Sequence, residues 1–193
     1  MFRKQKDNIL QLLMIRLCVG ILFISALYVA VQFIPNNQIA YYVIALLLSS
    51  LFLDMFHNTY QIFPSFLDHT RIHNGIRISP QSLFLLGVFV SLAYFDTSIV
   101  FLATLLTLIS PLVGQLIRHY PLLPKYSRSW QACILVFIVN MATLLLFIHA
   151  WEILIPLSLI AAYIESIATF NEDNLLIPVS VSFIGQILID IFM

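Results

Sequence analysis

The stretch SIVFLATLLTLISPLVGQLI, residues 98–117, runs for 20 positions without a charged side chain. A helix rises about 1.5 Å per residue, so this segment reaches about 30 Å, the thickness of a bilayer's hydrocarbon core. The run is continuous rather than alternating. That selects a helix over a barrel strand, because a helix bonds its own N–H and C=O groups and needs no water to do so. Outward from it, polar punctuation divides the chain into six more apolar runs: Ile9 to Ile34, Ile39 to Phe56, Pro80 to Tyr94, Trp130 to His149, Ile153 to Ala168 and Leu175 to Phe192. The sequence therefore predicts an all-α fold, a polytopic transmembrane helix bundle of about seven spans, formed as one integral membrane domain over residues 1–193. The third and sixth runs are short and are expected to be tilted or partly interfacial.

Composition points the same way. Hydrophobic residues make up 61% of the chain and charged ones 9%, with a mean hydropathy of +1.00. A water-soluble domain carries about 25% charged residues. Cys18 and Cys133 fall inside apolar runs without CxxC or Cys/His spacing, which excludes a disulfide framework and a zinc site. No P-loop, nucleophile elbow or dinucleotide fingerprint is present, so hydrolases and soluble nucleotide-binding folds lack support. The formal net charge is zero, and no nucleic-acid partner is expected. The basic start Arg3-Lys4-Gln5-Lys6 followed by an apolar run has the outline of a signal peptide. The run is too long and lacks a small-residue cleavage site, so a retained first span is expected.

The basic residues give an orientation. Arg3, Lys4 and Lys6 precede the first run, Arg71 and Arg77 lie in the connection from Asp54 to Ser79, and Arg118, Lys125 and Arg128 lie in that from Arg118 to Ser129. With seven spans these eight of nine basic residues share one side, and only Arg16 sits within a span. The opposite turns, at Pro35-Asn36-Asn37, Phe95-Asp96-Thr97 and Ala150-Trp151-Glu152, carry acids and no Lys or Arg. By the positive-inside rule the N-terminus is expected to be cytoplasmic and the C-terminus outside.

Polar residues near the basic side are the candidates for chemistry. The loop Asp68-His69-Thr70-Arg71-Ile72-His73-Asn74-Gly75-Ile76-Arg77 mixes acid, imidazole and guanidinium. It suits an anionic ligand through bidentate Arg contacts, but composition favours an ordinary solvated loop whose Arg residues lean on lipid phosphates. The basic, aromatic connection from Arg118 to Trp130 reads either as a phosphate site or as a headgroup anchor. Glu165 lies within a span, where a carboxylate is costly unless paired or hydrated. It is followed by Asn171-Glu172-Asp173-Asn174 at the start of the last span. Three carboxylates near one end suit Mg2+, which takes one or two of them together with substrate phosphates. The alternative is that Glu172 and Asp173 only favour the positive end of the last helix.

These residues resemble the membrane CTP-dependent prenol kinases, which include dolichol kinase and phytol kinase and are related to phosphatidate cytidylyltransferases. Glu165-Ser166-Ile167 through Asp173-Asn174-Leu175-Leu176-Ile177-Pro178 is similar to that family's closing pattern, a Glu in one span and then Asp-Asn-Leu with a nearby Pro. Arg128-Ser129-Trp130-Gln131-Ala132 resembles its Lys-Ser/Thr-aromatic-Glu-Gly pattern, and Asp68 to Gly75 followed by Leu83 to Gly87 matches its loop and glycine-bearing helix. The order agrees over roughly residues 45 to 193. The resemblance implies transfer of the γ-phosphoryl group of CTP to an isoprenoid lipid alcohol among membrane lipids, with Mg2+ as cofactor. Glu165 and Asp173 become the catalytic residues, Glu172 and Asp173 the metal ligands, and Arg71, Arg118, Arg128, Ser129 and Asn174 the nucleotide and phosphate contacts. The pattern departs where the family has Gly-Asp about eight residues before a Gly-Lys/Arg. Here Leu106-Thr107 precede Gly114-Gln115. That loss favours a second reading, a catalytically inactive relative that binds lipid or scaffolds a membrane partner.

The orientation has a direct test. Single cysteines at Asn36 and Asp96 should react with an impermeant thiol reagent from the outside, and one at Arg71 only from the cytoplasmic side. If Asn36 and Arg71 report the same side, the second span is wrong.

Overall fold

The computed structural model describes residues 36–60, 78–119, 128–168 and 173–192, together with positions 22, 25, 26, 28, 29 and 33; at 36, 37, 56–60, 118, 119, 128 and 129 it describes the backbone only. All regular structure among the described residues is helical, with no strand. Six helices follow in order: α1 Asn36–Tyr60, α2 Pro80–Tyr94, α3 Thr97–His119, α4 Arg128–Leu144, α5 Trp151–Ile167 and α6 Asp173–Phe192. Three of them, α1, α3 and α6, are long and apolar enough to cross a membrane. The expected first span, Ile9 to Ile34, lies mostly outside the described residues. The described positions within it are helical. Its Tyr28 ring sits 5.9 Å from Phe101 of α3.

Boundaries shift from the expected ones for local reasons. The fifth run, expected to His149, leaves the helix at Leu144. Its end tightens into a turn, with Leu146 N–H donating to Thr143 O and Phe147 N–H to Leu144 O, the three-residue spacing that commonly closes a helix. The turn between α2 and α3 is as short as expected, and the Asp96 carbonyl accepts from both Ile99 N and Val100 N to start α3. The short third and sixth runs form helices of 15 and 17 residues.

The bundle is organised around α3, which touches α2, α4, α5 and α6, while α1 packs on α2. Leu102, Ala103 and Leu106 of α3 meet Leu144 of α4, Leu154 and Leu157 of α5, and Ile177 and Val181 of α6 in the main core. A smaller cluster joins Ile39 and Val43 of α1 to Val88 and Val100. Outward faces are apolar as well: Leu48, Phe52, Ile138, Leu159, Phe183 and Ile191 are exposed. Serine, threonine, asparagine and glutamate are instead found inside, at Ser91, Thr104, Ser110, Asn140 and Glu165. In water this distribution would be unfavourable. In lipid it is expected, because the solvent is as apolar as the outer side chains and polar groups serve as contacts between helices.

Two polar clasps hold the ends of α2. At its N-terminus the Asp54 carboxylate of α1 accepts from Ser79 N (2.9 Å), Ser79 Oγ (3.0 Å) and Ser82 Oγ (2.6 Å), and Ser50 Oγ lies 2.7 Å from Ser82 Oγ. Ser79 is also the N-cap, accepting from Ser82 N, with Pro80 in the first position where no N–H is needed. At the other end Gln186 of α6 holds Asp96, accepting from its N–H at 3.1 Å and donating Nε2 to its carboxylate at 3.3 Å. Between the clasps α2 and α6 run parallel and approach closely at Gly87. A Cβ there would lie 2.6 Å from Pro178 Cγ and 3.1 to 3.2 Å from the carbonyl oxygens of Leu175 and Asn174. Pro178 has no N–H for the Asn174 carbonyl four residues back, so the glycine lets α2 lie against backbone that the proline has left short of a donor.

Gly87→Ala should therefore destabilise the protein by about 1–3 kcal/mol, the usual penalty for forcing a methyl group into a filled contact. Ala93→Gly, near the end of the same helix, should cost only about 1 kcal/mol through helix propensity. Thermal unfolding in detergent checks both, and an unperturbed Gly87→Ala would show that the contact is looser than described.

Candidate functional site

α3, α4, α5 and α6 bring their polar residues to one end of the bundle, the end that carries Arg118 and Arg128. α5 ends at Ile167 and α6 begins at Asp173, so Glu165 and Asp173 flank one short connection. Glu165 is only 1% exposed. Its carboxylate lies directly over Gly114 of α3, and a Cβ at that position would overlap Oε1 and Cδ. The glycine is thus the seat of the buried acid: any side chain there would occupy the space that the carboxylate fills. Arg118 follows Gly114 by one helical turn.

Asp173 and Asn174 open α6 and are both buried, with Asp173 Oδ1 accepting from Asn174 N at 3.0 Å. An acid in the first turn meets the unpaired N–H groups and the positive end of the helix dipole, so part of the role of Asp173 is to stabilise the start of α6. Gln131, one turn into α4, is also buried at this end. Gln131, Glu165, Asp173 and Asn174 each have interaction partners.

The structure thus brings Glu165, Asp173 and Asn174 to one end, and places the helical backbone of Arg118, Arg128 and Ser129 there too. Arg71 and Glu172 lie outside the described residues. Among the described residues no group of three or more His, Cys, Asp or Glu is placed to hold a metal ion. Two carboxylates, Glu165 and Asp173, and two amides, Asn174 and Gln131, are described at this end, and Mg2+ takes one or two protein carboxylates. The positions where the resembled family carries Gly-Asp are filled otherwise. Leu106 is fully buried in the main core, and the Thr107 hydroxyl is turned back onto Ala103 O at 2.7 Å.

Three features went unread in the sequence. Gly114 stood out only as half of a degenerate dipeptide, and its role as the seat of Glu165 needs the crossing of α3 and α5 to be known. The Asp54–Ser79–Ser82 clasp spans 25 to 28 residues, beyond any local pattern. The bond from Ser110 Oγ to Asn140 Oδ1 at 3.1 Å had a signal, since an asparagine in the middle of an apolar run usually reaches across to another helix.

No family model, curated protein or solved structure matches the chain.

The seat predicts a coupling. Gly114→Ala should cost about 1–3 kcal/mol by displacing the Glu165 carboxylate. In the double variant with Glu165→Ala that cost should shrink by at least about 0.5 kcal/mol, as expected for residues in direct contact. Additive effects would separate the two positions.

Proposed function

We propose that the chain is a multi-pass membrane protein with its N-terminus and basic loops in the cytoplasm and its C-terminus outside, and that its basic end is the active site of a CTP-dependent kinase of isoprenoid alcohols. The observation that carries this reading is the burial of the Glu165 carboxylate against Gly114, at the end where α6 opens with Asp173-Asn174. An acid kept inside an apolar bundle costs several kcal/mol without a compensating role, and such residues mark functional sites by default. Phosphoryl transfer asks for positioning and charge neutralisation more than for covalent chemistry. Arg118, Arg128 and Ser129 would meet phosphate oxygens, with Arg71 from the preceding loop, and Asn174 would orient them. Glu165 would take the proton of the lipid hydroxyl. Glu172 and Asp173 would hold Mg2+, which supplies neutralisation of the phosphate charge.

One observation favours a second reading. Leu106 and Thr107 form sealed helix interior where the resembled kinases have Gly-Asp, which supports an inactive relative that binds lipid or a membrane partner.

The experiment is a phosphoryl-transfer assay with purified protein, Mg2+, a panel of prenols, and CTP or ATP. The kinase reading expects CTP-dependent product from the wild type, and its loss in Asp173→Asn with unchanged thermal stability, because the amide keeps most of the capping ability but not the anionic oxygen. Full activity in Asp173→Asn would remove that residue from the site, and an inactive wild type would leave the second reading.

A further inference from the structure

Asn140 of α4 is fully buried and faces Ser110, which lies one turn before Gly114 on α3. Its Oδ1 accepts from Ser110 Oγ of α3 at 3.1 Å, and its Nδ2 has no hydrogen-bond partner among the described residues. Exchanging the amide oxygen and nitrogen changes nothing in the count, since one branch still faces Ser110 and the other still lacks a partner. The neighbours of Ser110 do not share this condition. Thr104 and Thr107, on the same helix, satisfy themselves on the carbonyls of Val100 and Ala103. The other three helices around α3 each carry a fully buried serine whose hydroxyl also has no hydrogen-bond partner: Ser91 of α2, Ser158 of α5 and Ser182 of α6. Polar groups without partners are strongly disfavoured in a low-dielectric interior, and an O–H group that both donates and accepts can satisfy them.

We propose that the Ser110–Asn140 pair is a binding site for one O–H ligand inside the bundle. The ligand is either an internal water or the hydroxyl of a lipid alcohol. Both present the same chemistry, and either orientation of the Asn140 amide accommodates it. The site does not depend on the kinase reading, because a water held there needs no transferable phosphate.

The test uses the full chain, labelled with 15N-asparagine, in phosphatidylcholine vesicles. Magnetisation transfer from water to the Asn140 side-chain amide is followed by solid-state NMR, the resonance being assigned by its loss in Asn140→Leu or, should that variant not fold, in Asn140→Ser. Transfer without added alcohol identifies a bound water. Absence of transfer, with a saturable shift of the amide resonance on adding a C15 prenol, identifies the lipid hydroxyl. The absence of both signals overturns the proposal. Asn140→Leu, close to asparagine in size but without its donors, should also lower Tm by about 3 °C or more. A raised Tm would mean that the amide is merely an orphaned donor, and would overturn the proposal too.

Discussion

A polar group inside this bundle is costly unless a partner satisfies it, because the outer faces are apolar. Helices meet that demand for their own backbones, and the side chains then have three routes. Some turn back on the preceding turn, as Thr104, Thr107 and Thr143 do. Some cross to a neighbouring helix, as Asp54, Ser110 and Gln186 do. Glu165 takes the third route and lodges where a glycine leaves room. The first route costs the fold almost nothing and says little about function, since a back-bonded hydroxyl would serve on any apolar helix. The second and third fix how helices meet, at the two ends of α2 and at Ser110 and Gly114 of α3.

The central place of α3 follows from its sequence. It combines small and hydroxylic residues, Ala103, Thr104, Thr107, Ser110 and Gly114, with Leu102 and Leu106, so neighbouring helices can approach it on several sides. Gly185 of α6 plays the matching part, standing where a Cβ would come within 2.7 Å of Ile99. Close approach at small residues is how helices gain dispersion contacts in lipid, where burial of apolar area offers no advantage over contact with acyl chains. Pro111, Pro156 and Pro178 add to this by leaving carbonyls without their usual N–H donor, of which that of Asn174 beside Gly87 is the clearest.

The helical class and most helix limits were legible because hydropathy and punctuation are local signals. The Asp96 turn, Pro80 at a helix start and Asp173 at another could be placed from a few neighbouring residues. What depends on crossing was not legible. Nothing in the sequence around Gly114 says that a carboxylate 51 positions later will rest on it, and nothing near Asp54 names Ser79. Of the candidate site, the sequence singled out Glu165 by residue type in the wrong solvent, a criterion that needs no partner, Asp173 as an acid at the start of the last span, and Asn174 through the resemblance. It overlooked Asn140, to which the same criterion applied with equal force. An amide is cheaper to bury than a carboxylate, so it drew less notice, although in lipid both need a partner.

The two ends of the bundle differ in a way that bears on which end can react. At the end with Asp96, Gln186 and Asp190, the polar groups are largely exposed and bonded to one another, with Gln186 Nε2 donating to both carboxylates. A carboxylate there is solvated and already occupied, so it works as a fastener. At the opposite end Glu165, Asp173 and Asn174 are buried, and the helical backbone of Arg118 and Arg128 lies at the adjoining helix ends. Interaction between an acid and a cation or phosphate grows as water is excluded from around them. Among the described residues, the end with Glu165, Asp173 and Asn174 is the more withdrawn from water.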